Sequence, residues 1–147
     1  IGYCYFKLKE YSKATEYFEI FLSKTTISEA LKSDAFIRLG DSYFALTNYK
    51  KAILAYKKVA ANNGDGADYA TYQVGMSSSF TEENEAKITA LKTMINKYPT
   101  SHLIDDALYQ LGNTYSSLKD SKNAHIAYNR LVEKHPKSIF LSRTLLR

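Results

Sequence analysis

The sequence predicts an all-α protein made of stacked helical hairpins, and three observations carry that prediction. Apolar residues recur at helical spacing. Between Asp105 and Pro136, Leu108, Leu111 and Tyr115 form one stripe, and Ala124, Ala127, Tyr128 and Leu131 form a second. The pattern then repeats in phase, with Gly2, Gly40 and Gly112 each followed twelve residues later by an alanine, Ala14, Ala52 and Ala124. A weaker copy has Gly75, and its distance to Pro99 equals that from Gly112 to Pro136. A hairpin cannot bury both of its apolar faces alone, and the repetition supplies the neighbours.

In chain order, Ile1 to Leu8 is the tail of a first helix and Tyr11 to about Lys24 its partner, with Ala14, Phe18 and Phe21 as core. Cys4 occupies the position held by Ser42, Ser77 and Thr114 and is expected to be a small packing residue. Ser28 is placed to cap a long helix over about Glu29 to Leu46. Tyr49 to Ala61 follows, with Ala52, Ile53, Tyr56 and Val59 on one side. Asn62-Asn63-Gly64-Asp65-Gly66 suits a left-handed cap and a turn, and lacks the ligand spacing of a calcium loop.

The third unit is irregular. Its first helix is expected from Ala67 to Ser79, and its second from Thr81 to Tyr98, where acidic residues suit the N-terminal dipole. Ser78 replaces the expected tyrosine and Lys87 the expected alanine, so either Lys87 snorkels or the helix shifts to bring Ala86 or Ala90 to Gly75. Glycines inside helices cost about 1 kcal/mol relative to alanine. Gly40 and Gly112 are therefore read as close-packing sites, with Ala52 and Ala124 as their partners. Ser138 to Leu146 reads as one more first helix.

The series Phe36-x-x-Leu39-Gly40-x-x-Tyr43, then Ala52-x-x-x-Tyr56, and its copy from Leu108 to Pro136 resemble the tetratricopeptide repeat. The resemblance covers nearly the whole chain and implies a right-handed α-α superhelix. It divides the chain into a partial repeat over 1–26, repeats over 29–63, 66–99 and 103–136, and a partial helix over 138–147. Glycine spacings of 38, 35 and 37 exceed the usual period of about 34. With Lys97-Tyr98-Pro99-x-Ser101 and Lys134-His135-Pro136-x-Ser138, they resemble repeats of bacterial cell-envelope proteins of the Tol-Pal cell-division coordinator and outer-membrane assembly lipoprotein type. That implies a periplasmic or envelope location. The chain opens inside a repeat and closes in what reads as the next one, so it is expected to be a piece of a longer array.

No catalytic or cofactor chemistry is expected. His102, His125 and His135 are far apart and lack metal-ligand spacing, and no phosphate loop or nucleophile elbow occurs. The acidic pairs Glu82-Glu83 and Asp105-Asp106 sit at helix starts, where they complement the dipole. The apolar fraction of 45% supports a packed core, and no run of 18 apolar residues can span a membrane. The net charge of +5 arises from Lys119 onward, where seven Lys or Arg stand against two acids, while residues 1–118 carry thirteen charges of each sign. A solvated basic end is the expectation, with nucleic-acid binding there a lesser alternative.

The resemblance also implies that first helices line a concave groove. By register, the groove residues are Tyr3, Phe6, Ile37, Arg38, Asp41, Phe44, Tyr69, Tyr72, Gln73, Met76, Tyr109, Gln110 and Asn113. The same register also places Lys7 and Phe80 in the groove. Aromatic, Met and amide side chains suit a peptide or partner helix. At the position where chaperone-binding repeats place a carboxylate-clamping Asn, this chain has Tyr3, Asp41, Met76 and Asn113, and Asp41 would repel a carboxylate. The expected function is a non-catalytic scaffold that binds a protein or peptide. The alternative is a structural spacer or homo-oligomerisation module whose groove is filled by its own chain.

Overall fold

The computed structural model describes residues 1–24 and 26–142. Eight helices lie among them: α1 (Gly2–Lys7), α2 (Tyr11–Leu22), α3 (Glu29–Ala45), α4 (Tyr49–Ala60), α5 (Ala67–Ser79), α6 (Asn84–Lys97), α7 (Ile104–Ser117) and α8 (Ser121–Lys134). The described residues contain no strand. Each helix packs on the ones before and after it, giving an α-solenoid. The helix expected over 138–147 lies outside the described residues from position 143 onward.

One turn recurs between the helices of every hairpin. Lys9, Thr47, Glu82 and Lys119 each stand seven residues after their glycine and have φ of 60°, 58°, 59° and 60°. The left-handed residue lets the following amide reach back to a carbonyl of the finished helix, as Asn48 N does to Tyr43 O at 2.8 Å and Asp120 N to Tyr115 O at 2.9 Å. Asn48 and Asp120 then cap the next helix through their side chains. Ser28 caps α3 as its sequence position predicts. The same turn corrects the start of α6, which begins at Asn84 and not at Thr81. Glu82 in the left-handed region cannot be part of the helix.

The core forms two clusters. One joins α2 to α6 around Phe18, Leu39, Tyr56 and Val59, and the other joins α5 to α8 around Leu91, Met94, Leu108 and Leu131. The helical glycines carry the close contacts, but their partners differ from those the sequence suggests. A Cβ on Gly40 would lie 2.6 Å from the Tyr56 ring, and one on Gly112 would press into Tyr128. Tyrosine rings, not Ala52 and Ala124, are therefore the nearest neighbours. At Gly75 a Cβ would meet Leu91 at 3.2 Å and Ala90 at 3.5 Å, while Lys87 is half-buried and burial lowers its pKa. Cys4 is exposed, unlike the buried Ser42, Ser77 and Thr114. The helices that carry those three each follow a second helix that packs on them, and no described helix precedes α1.

Candidate binding groove

The first helix of each hairpin is tied to the next first helix by side-chain hydrogen bonds. Tyr3 on α1 donates to Asp34 on α3. Arg38 pairs with Asp41 at 3.2 Å and sets its guanidinium over the rings of Tyr3 and Phe6. Tyr69 on α5 donates to Asp41 Oδ1 at 2.9 Å and accepts from Gln73 Nε2 at 2.9 Å. Tyr72 on α5 donates to Asp106 on α7 at 2.6 Å, and Gln110 donates to the other oxygen of Asp106 at 3.3 Å. These bonds join α1, α3, α5 and α7 into one continuous row of first helices.

This ladder sets the electrostatics. Asp41 Oδ1 also accepts from Tyr56 on α4 at 2.8 Å. Burial, then the Asp41 charge, pushes the Tyr69 hydroxyl up to about 12. Burial and the same carboxylate raise Tyr56, and burial with the Asp106 hydrogen bond raises Tyr72. The tyrosines therefore remain neutral donors. The guanidinium of Arg38 is held charged by its bond to Tyr3.

The structure sorts the sequence-predicted groove residues into two groups. Tyr3 is exposed, and Phe6, Ile37, Arg38, Asp41, Phe44, Tyr69, Gln73, Met76, Gln110 and Asn113 are half-buried. Tyr72 and Tyr109 are instead core residues, only 8% and 7% exposed. Tyr72 packs among the residues of the second cluster, and Tyr109 stacks on Phe140 with centroids 5.0 Å apart. The correction has a plain cause: the next hairpin's polar partner and the chain after α8 cover those two rings. Asn113 accepts a 2.7 Å bond from Tyr128, so its amide oxygen is engaged.

Sequence reasoning missed Asp34 and Asp106, whose carboxylates hold the ladder together. It also missed the role of the Pro-x-Ser motif. Ser101 donates to Asp68 at 2.5 Å and Ser138 to Asp105 at 2.8 Å, pinning each inter-repeat loop to the start of the preceding first helix. The signal was present as an aspartate 33 residues before each of these serines. At the groove's edge Phe80, which is exposed, stacks on Tyr49 at 4.5 Å and meets Phe44 edge-on.

Comparison with known proteins agrees with this fold. Residues 34–65 and 106–138 match the tetratricopeptide repeat family. Among solved structures, a crystal structure of MamA superposes with a TM-score of 0.76 at 23% identity, covering 92% of this chain and 75% of that one. MamA 41-end from Desulfovibrio magneticus RS-1 gives 0.74 at 20% identity, covering 94% and 73%. YrrB, described as a tetratricopeptide-repeat protein with an unusual peptide-binding site, gives 0.78 at 20% identity, covering 99% and 71%. No curated protein matches the chain. The chain is thus an α-solenoid of tetratricopeptide-type helical hairpins, and two of its segments, residues 34–65 and 106–138, match the tetratricopeptide repeat family.

Proposed function

We propose that the chain is a non-catalytic scaffold whose concave face binds an extended or helical peptide segment of a partner protein. The observation that carries this reading is the ladder Tyr3–Asp34, Asp41–Tyr69–Gln73 and Tyr72–Asp106–Gln110. It fixes polar groups in advance along one face, which lowers the ordering cost of binding. Half-buried Met76, Phe44 and Ile37 supply apolar contact beside them. The peptide-binding description of YrrB supports the reading by analogy of fold. A bacterial envelope setting rests on the Pro-x-Ser loops and the glycine spacings alone.

The test is selection of peptides from a displayed random library, followed by titration calorimetry. Selected peptides should lose about tenfold or more in affinity for an Arg38→Ala, Gln73→Ala variant, since anchor truncation commonly costs over about 1 kcal/mol. Equal binding to parent and variant overturns the groove. A second reading, a spacer within a longer array, is favoured by one observation. An apolar cleft of about 520 Å³, lined by Ile1, Tyr17, Phe18, Phe21 and Leu31, offers a seat for apolar side chains of a neighbouring segment. Failure to select any groove-dependent peptide would support that reading.

A further inference from the structure

The first and second helices of the solenoid carry opposite net charge. The second helices α4, α6 and α8 hold ten Lys or Arg and two acids, a formal +8. The earlier second helix, α2, lies outside this basic surface, with Lys13 against Glu16 and Glu19. The first helices α3, α5 and α7 hold two bases and six acids, a formal −4. Along the sequence these signs alternate and residues 1–118 sum to zero, so folding alone separates them.

On α4 and α8 the basic residues fall in register, while the same positions of α6 are Glu85 and Thr93. Lys50 and Lys122 stand ten residues after their glycines, and Lys58 and Arg130 stand eighteen after them. All four are exposed, and among the described residues none is in an ion pair. Between them, also in register, lie Leu54 and Ile126, 65% and 56% exposed.

We propose that this convex face docks on an anionic lipid bilayer. Rows of unpaired cations are attracted to a negative leaflet. Isolated Leu54 and Ile126 among them would gain by entering the headgroup and acyl boundary. Two other occupants fit less well. A nucleic acid strand would look for stacking aromatics. On these helices Tyr56 is buried, Tyr49 is stacked on Phe80 and Tyr128 is bonded to Asn113. A second copy would have to offer the acidic concave face, but Asp41 and Asp106 already accept hydrogen bonds from tyrosines of their own chain.

The test is sedimentation of the chain with vesicles of equal parts phosphatidylglycerol and phosphatidylcholine, and with phosphatidylcholine vesicles alone. Binding is expected only to the anionic vesicles and should be lost at about 0.5 M salt, where screening is strong. Reversing Lys50→Glu, Lys58→Glu and Arg130→Glu should weaken it by about tenfold or more. Glu has nearly the helix propensity of Lys, and circular dichroism checks the fold. The same charge change placed at Lys7→Glu, Lys9→Glu and Lys32→Glu should leave most of the binding. No binding to anionic vesicles overturns the proposal, as does salt-insensitive binding. Equal loss in both triple variants would overturn it too, since net charge and not this face would then be acting. Binding to duplex DNA without binding to vesicles would overturn it in favour of a nucleic acid.

Discussion

The Tyr128 hydroxyl donates to Asn113 Oδ1 at 2.7 Å while its ring covers Gly112, the residue next to that acceptor. Tyr56 does the same with Asp41 and Gly40, at 2.8 Å. The two units without the tyrosine have Phe18 and Leu91 in its place and Tyr3 and Met76 in place of the acceptor. Ring, glycine and acceptor therefore form one device. The glycine makes room for the ring, and the neighbouring acceptor satisfies the hydroxyl that the ring carries inward.

Filling that space should be costly only where a ring occupies it. Gly112→Ala and Gly112→Leu are expected to lose about 1–3 kcal/mol by overpacking against Tyr128. Gly75→Ala faces the more distant Leu91 and Ala90, and the helix gains up to about 1 kcal/mol from alanine. Urea denaturation of the variants should rank Gly75→Ala above Gly112→Ala. The reverse order would refute the ring-over-glycine assignment.

Thr47 is β-branched and sits at φ 58°, a conformation that costs an L residue about 1–2 kcal/mol. Thr47→Gly should stabilise the chain by about 0.5–1 kcal/mol, part of the gain being offset by unfolded-chain entropy. A lower denaturation midpoint in this variant would contradict the turn geometry.

Alkali should loosen the array. Tyr43 and Tyr69 are both pushed from 10.0 to about 12, chiefly by burial, with Glu19 and Asp41 adding to it. A folded-state pKa above the unfolded one contributes stability that is present below pH 10 and is lost as pH rises towards 12. The urea midpoint should therefore fall across that window, and Tyr69→Phe should flatten the fall. An unchanged midpoint up to pH 12 would show that these hydroxyls are not held protonated by the fold.

The third unit should exchange its amides fastest among the complete hairpins. Ser78 fills a tyrosine position, the buried Ser77 Oγ has no hydrogen-bond partner among the described residues, and Lys87 is half-buried. Hydrogen exchange resolved by helix checks this. Protection in α5 and α6 equal to that in α7 and α8 would count against it.

Apolar spacing, Gly–Ala offsets and the prolines at 99 and 136 are local signals, each acting within one helix or one turn. They were enough to set the helices and their order. What those helices touch depended on packing between segments distant in the chain. Gly40 and Gly112 announce a close approach, yet only packing chooses Tyr56 and Tyr128 over Ala52 and Ala124. Tyr72 and Tyr109 have the register of groove residues, but Asp106 and Phe140, a repeat length further on, draw them into the core. Lys9, Thr47, Glu82 and Lys119 carry no glycine-like signature, because the hairpin imposes their left-handed backbone. The charge division between the faces is likewise invisible along the chain, since it arises only when alternate helices are stacked on opposite sides of one core.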